Sequence, residues 1–142
     1  MLRGNYQGRV DEKGRVKIPA AFLEELREHG NKFYVTSEDG QSVRVYPMKE
    51  WNVIEEKLAS LPSYNKAKQK FLTQTNYYGQ MVELDGQGRI LVPPILRETA
   101  QARGDVFVMG NLTHLQIWNN ARFAEMRKAN QITAEELSEL GI

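Results

Sequence analysis

Two stretches decide the reading: VDEKGRVKIP at residues 10–19 and LDGQGRILVP at residues 84–93. Each sets an Asp four residues before an Arg, a Gly directly before that Arg, and a Pro four residues after it. With an offset of 74, Val10 meets Leu84, Asp11 meets Asp85, Gly14 meets Gly88 and Arg15 meets Arg89. Val16, Ile18 and Pro19 then meet Ile90, Val92 and Pro93. Farther on, Phe22 meets Leu96, Gly30 meets Gly104 and Phe33 meets Phe107. After two residues drop out, Val43-Arg44-Val45-Tyr46 matches Leu115-Gln116-Ile117-Trp118. Self-similarity over this length marks a tandem duplication. It divides the chain into residues 1–75, with a linker helix, and residues 76–142, with a C-terminal helix.

Each copy parses alike. The strand ending at Asp11 and the strand beginning at Arg15 leave Glu12-Lys13-Gly14 as a three-residue loop, which wants a left-handed residue at the glycine. Asp11 then faces Arg15, Val10 faces Val16 and Arg9 faces Lys17. Because side chains alternate between faces, Val10, Val16 and Ile18 point inward and Arg9, Asp11, Arg15 and Lys17 point outward. Pro19 opens a helix striped by Phe22, Leu23 and Leu26, with Gly30 as its C-terminal cap. Pro94, Leu96, Ala100 and Gly104 take these parts in the second copy. A hairpin follows in each half: residues 32–36 with 42–46, turned by Glu38-Asp39-Gly40, and residues 106–109 with 114–118. A helix from about Met48 carries Trp51, Ile54, Leu58 and Leu61 at helical spacing, most simply core residues, with a subunit boundary as the alternative for some of them. A lysine-bearing helix around Lys66 to Leu72 joins the halves. Near the C-terminus Thr133-Ala134-Glu135-Glu136 is a capping box, with Ile132 and Leu137 placed as a hydrophobic staple. Halves of this size make marginal cores alone, so an α+β, barrel-like unit with pseudo-twofold symmetry is expected.

The composition suits a soluble globular chain: 41% hydrophobic and 26% charged residues exclude wholesale disorder. With no Cys, disulfides and thiolate metal sites are excluded. MLRGNYQG lacks the apolar run of a signal peptide, and no stretch is long and apolar enough to cross a bilayer, so a cytoplasmic location is expected. A net charge of +1 argues against coating nucleic acid by bulk charge. The distribution is uneven: residues 1–75 hold 13 Lys and Arg against 10 Asp and Glu, while residues 76–142 hold 6 against 8. The basic excess lies near the first hairpin.

A lone Asp/Arg pair on a hairpin is a surface ion pair worth ~0.2–1 kcal/mol. Here the pair recurs at the same spacing, Arg stands in both copies where Lys would serve, and the first copy is flanked by further cations. A two-stranded ribbon fits the DNA major groove, and a guanidinium fork matches phosphate or the guanine edge. On this reading Arg15 and Arg89 read, Asp11 and Asp85 orient them, and Arg9, Lys13 and Lys17, with Arg3 in the opening segment, set the position on phosphates. The second hairpin has Glu83, Gln87 and Leu91 where the first has Arg9, Lys13 and Lys17. The first is therefore expected to carry most of the DNA affinity, and the second to serve assembly.

These residues carry a resemblance. Two Asp-x-x-Gly-Arg hairpins, each followed by apolar residues and Pro, resemble the swapped-hairpin fold of the SpoVT/AbrB class. Their tandem arrangement after Met1-Leu2-Arg3-Gly4, with Tyr46-Pro47, Glu50-Trp51 and Gln116-Ile117-Trp118, resembles the MraZ family over nearly the whole chain. The resemblance implies two tandem SpoVT-AbrB-like βαβ repeats forming a pseudo-twofold swapped-hairpin β-barrel with flanking helices. It also implies a nucleoid-associated bacterial transcriptional regulator, by inference a repressor. Such a protein forms ring-like homo-oligomers on direct repeats in double-stranded DNA, ahead of the division and cell-wall gene cluster and its own gene. Several linked faces would offset the weak binding of one near-neutral protomer.

Two other classes compete. An enzyme is poorly supplied: His29 and His114 stand alone, no His/carboxylate spacing suits a metal, and Gly86-Gln87-Gly88 precedes a strand and lacks the third glycine of a dinucleotide fingerprint. No cofactor and no small-molecule substrate is expected. A scaffold whose hairpins bind protein is the other alternative. Lys66, Lys68 and Lys70 read as a solvated face, with Lys68 turned away from the other two. Tyr77 and Tyr78 stay open between packing and interface.

Overall fold

The computed structural model describes residues 1–142. In the first half, β1 (Asn5–Val10) and β2 (Arg15–Lys17) precede α1 (Ala20–Arg27), β3 (Lys32–Thr36) and β4 (Val43–Pro47). Two helices follow, α2 (Met48–Ala59) and α3 (Lys66–Tyr77). The second half repeats the order with β5 (Gln80–Glu83), β6 (Arg89–Leu91), α4 (Pro94–Thr99), β7 (Gly104–Asn111) and β8 (His114–Asn119), and ends with α5 (Asn120–Ala129) and α6 (Ala134–Glu139).

All eight strands form one antiparallel sheet in the order β5-β3-β4-β8-β7-β1-β2-β6. β5 and β6, at the two ends of that order, meet at the second hairpin, so the sheet curls into a nearly closed barrel. The α+β class and barrel agree with the sequence reading. The register of the first hairpin agrees next to the turn, where Val10 lies opposite Val16 and the Asp11 N–H donates to Arg15 O at 2.9 Å. The ladder does not extend to the expected Arg9–Lys17 pair: Arg9 lies opposite Asp105 and Lys17 opposite Arg89. The Gly14 N–H donates to Asp11 O at 2.9 Å, and Gly14 takes φ +83°, the left-handed conformation the loop required.

The arms of each hairpin part company after that turn. Along its whole length β1 pairs with β7 of the other half, from Asn5–Met109 to Val10–Gly104. In the twofold-related arrangement β5 pairs with β3, and β2 pairs with β6 across the pseudo-twofold axis. The copies differ in register by one residue, since Arg9 lies opposite Asp105 but Glu83 lies opposite Lys32. Two reciprocal bonds lock the crossing: Ile18 N–H to Gly88 O at 2.9 Å and Val92 N–H to Gly14 O at 2.8 Å.

One core serves both halves. Val10, Val16, Ile18, Val82, Ile90 and Val92 enter it from the hairpins, and Val35, Val45, Val108 and Ile117 from the long strands. Phe22, Leu26 and Leu96 close it from α1 and α4. Trp51 of α2 is buried against Tyr34 (ring centroids 4.7 Å) and Tyr46 (5.0 Å), with Phe71 of α3 beyond it at 6.1 Å. α3 is seated by Thr75, whose carbonyl accepts from Tyr34 Oη at 2.9 Å and Thr36 Oγ1 at 2.7 Å. Gly79, just after α3, lies so close to Thr75 O and the Tyr34 hydroxyl that a Cβ would overlap both.

Several expectations are corrected. The stripe on α2 is core only at Trp51; Ile54 and Leu58 are half-buried and Leu61 is exposed, because the helix rests on β3 and β4 chiefly through Trp51. α3 runs five residues past Leu72, carried on by the seat at Thr75. The second-half helix ends at Thr99, so Gly104 is not its cap but the first residue of β7; positive φ falls first on Gln101, at 50°, and again on Gly104, at 65°. Gly30 does turn left-handed (φ +96°), two residues beyond the C-cap Glu28. Lys68 folds back to donate to Leu61 O at 2.9 Å. Tyr78 is half-buried over Gly40, while Tyr77 is exposed. The capping box at Thr133 and Glu136 forms as read, but no residue of α6 is buried, and Ile132, Leu137, Leu140 and Ile142 stay exposed.

His114 is a packed residue. It stacks on Tyr46 (4.3 Å), its ring nitrogens lie 3.3 Å from Asn111 Nδ2 and 3.1 Å from Thr113 Oγ1, and burial, aided by the Arg44 cation, lowers its pKa from 6.5 to about 4.

Two outcomes follow from this architecture. A fragment of residues 1–75 strips β1 of β7 and β3 of β5, so it should show no cooperative thermal transition by circular dichroism, whereas a sharp melt would mean the half folds alone. The unfolded chain protonates His114 below 6.5 but the folded chain does so only near 4. Stability from this group is therefore full above pH 6.5 and declines as pH falls towards 4. Melting temperature should trace that decline, and His114→Gln should flatten it; an unchanged profile would remove His114 from the account.

Candidate nucleic-acid interface

The two loops are built by their aspartates. Asp11 Oδ1 accepts the backbone N–H groups of Lys13 and Arg15, both at 2.9 Å. Asp85 Oδ1 accepts those of Gln87 and Arg89, both at 2.9 Å. A short carboxylate reaching two and four residues ahead is what an Asx-type turn supplies. Backbone donation, led by the Arg15 amide at Asp11 and the Arg89 amide at Asp85, holds both carboxyls below their ordinary 3.8. Their contribution to the loops is full above that value and is lost as pH falls below it.

The side chains of the two arginines then differ. Arg89 Nε donates to Asp85 Oδ2 at 2.9 Å, in a pair about one-third exposed. Arg15 has no such partner, and Asp11 is committed to backbone. The orienting role read into both aspartates thus has its geometry at Asp85 alone. At Asp11 the carboxylate shapes the loop and leaves the Arg15 fork free.

Crossed pairing merges the hairpins into one surface. Across β2 and β6, Lys17 lies opposite Arg89 and Arg15 opposite Leu91, while Val16 and Ile90 between them point inward. Arg15 and Arg89 are diagonal neighbours, a relation that sets Cα atoms about 7–8 Å apart. The Arg89 charge helps lower the Asp11 pKa, ahead of the charge on Arg15 itself. Lys13 stands exposed at the first loop tip. Arg15, Lys17, Arg89 and Lys13 are therefore brought together from both halves.

Two candidates stand apart. Arg9 pairs with Asp105 at 3.0 Å on the exposed surface (side chains 71% and 65% exposed), a pair of little energetic weight. Arg3 lies at the opposite end of β1, packed by its backbone against Gly110. The six residues of β1 lie between it and Asp11, a span on the order of 20 Å.

The sequence reading missed Arg97. This residue of α4 covers Gly14 of the first loop from the other half, and its Nε donates to Val92 O at 3.1 Å. Its repeat counterpart, Leu23 of α1, covers Gly88. The signal was present in the alignment as a charged residue standing where the duplicate has an apolar one.

Comparison with known proteins follows the same lines. The model of the MraZ protein family, described as antitoxin-like, matches residues 1–74 and 79–139. A protein of Acidobacterium capsulatum named transcriptional regulator MraZ is 49% identical over 146 residues, covering all of both chains. One of the same name from Koribacter versatilis is 48% identical over 147 residues, again covering both. Another from Caldanaerobacter subterraneus is 40% identical over 139 residues, spanning 98% of this chain and 95% of its own. A duplicated swapped-hairpin barrel, matched from end to end at these identities, belongs to the MraZ family.

Proposed function

We propose that the chain is a transcriptional regulator, by inference a repressor, that binds double-stranded DNA through its paired hairpins. The target is a set of direct repeats ahead of its own gene and the division and cell-wall gene cluster. The bound form is a ring-like homo-oligomer associated with the nucleoid.

The observation that carries this reading is the shared outer face of β2 and β6, where Arg15, Lys17 and Arg89 converge above loops fixed by Asp11 and Asp85. A two-stranded ribbon with fixed loops is of a width to enter the major groove. Arg15 carries the free fork for a base edge, Arg89 is held ready by Asp85, and Lys13 and Lys17 meet phosphates. Arg9 joins them by exchanging Asp105 for a phosphate, at little cost for so exposed a pair. Arg3 takes no part. The first hairpin carries the larger share of affinity, because its cations are more numerous and its arginine is free. Self-association is supported by uncovered apolar side chains at Leu137, Leu140 and Ile142 in and after α6 and at Leu61, Tyr64 and Tyr77 around α3.

The test is a mobility shift with the chain's own upstream region at two salt concentrations. Arg15→Ala should weaken binding by about 1–3 kcal/mol, and Arg89→Ala by less. Equal losses would overturn the unequal division; no loss from either would leave the hairpins to a scaffold. Removing repeats from the duplex should lower affinity sharply and make assembly on it fail, as judged by light scattering. A single repeat bound as tightly as several would overturn the multivalent reading.

A further inference from the structure

We infer that Arg97 contacts a DNA backbone phosphate beside the first hairpin, making the second half a direct contributor to the first hairpin's hold on DNA. This rests on the DNA-binding reading above. Arg97 is fixed twice: its stem covers Gly14 so closely that a Cβ there would overlap its Nε and guanidinium carbon, and its Nε donates to Val92 O. Val92 is itself bonded to Gly14 O, so the guanidinium is tied to the loop that projects Lys13 and Arg15. One N–H of the fork is used, and the others have no protein acceptor.

That free end opens on a cavity of about 630 Å³ between the first hairpin and α4, lined among others by Arg9 and Arg103. Asp11, Glu12 and Glu98 also line it, so the cavity is balanced in charge, yet none of these carboxylates forms an ion pair with Arg97. Asp11 is occupied by backbone amides, and Glu12 and Glu98 are exposed. Arg103 is braced by donating its Nε to Arg97 O at 3.0 Å. A guanidinium held still, unpaired and next to a groove-reading loop is suited to phosphate, since little freedom is lost when it binds.

The duplicate provides a control for simple packing. Leu23 covers Gly88 at the second hairpin with carbon alone, at 3.3 Å from where a Cβ would stand. If a cover were all that the first hairpin needed, leucine would suffice. The experiment compares wild type, Arg97→Leu, Arg97→Lys and Arg15→Ala by fluorescence anisotropy on the upstream duplex and on a scrambled duplex across a salt series. Thermal melts check that each variant is folded, with Arg97→Gln replacing the leucine variant if it is not. Arg97→Leu should bind both duplexes several-fold more weakly by the same factor, with the salt slope lower by about one, while Arg97→Lys keeps the slope. Affinity unchanged, or reduced with the salt slope intact, would overturn the phosphate contact. If Arg15→Ala also binds like wild type, it is the DNA reading that fails and not this inference alone.

Discussion

The structure depends on one exchange of partners. The outer arm of each hairpin leaves its own half and is taken up by the long hairpin of the other, β1 by β7 and β5 by β3, while the inner arms β2 and β6 pair on the axis. Gly14 O and Gly88 O each accept an amide from the opposite half, so each loop, shaped locally by its aspartate, is also tied to the other half. Backbone hydrogen bonds individually contribute little net stability, but leaving them unmade inside a barrel wall is costly. Neither half can close a barrel by itself.

The same exchange creates the surface that bears on function. Side chains outward on β2 and β6 belong to different halves, yet cross-strand pairing makes them immediate neighbours. Arg15, Lys17 and Arg89 share a face for the reason that Val16 and Ile90 share a core: alternation on two paired strands sends one set in and the other out. Like charges so close repel, and the two aspartates temper that repulsion while spending an oxygen each on the loops.

Duplication has not kept the two hairpins equivalent. One arginine is free and the other held by its aspartate; one loop is covered by the Arg97 guanidinium and the other by Leu23. The sheet bonds survive such divergence because they are made by backbone, which is indifferent to side-chain identity. Charge is not conserved by that constraint, so outward positions could drift apart while the barrel stayed symmetric.

Much of this was legible in the residues. Period-two alternation around Asp11 and Asp85, glycine at the left-handed loop position and proline at each helix start are local matters, decided by φ, sterics and the water-avoidance of Val and Ile, and the hairpin register followed from them. The sequence did not reveal that Asp11 would serve backbone while Asp85 serves both backbone and Arg89, that Arg9 would meet Asp105, or that Arg97 would lie over Gly14. It also misplaced the end of α4 and overstated the burial of α2. The chain's own order thus determined the repeats, their turns and which side chains avoid water. Which half covers which loop, and that Arg9 meets Asp105, was decided only when the halves exchanged strands, because those contacts join residues some 65 to 96 positions apart, and nothing local encodes them.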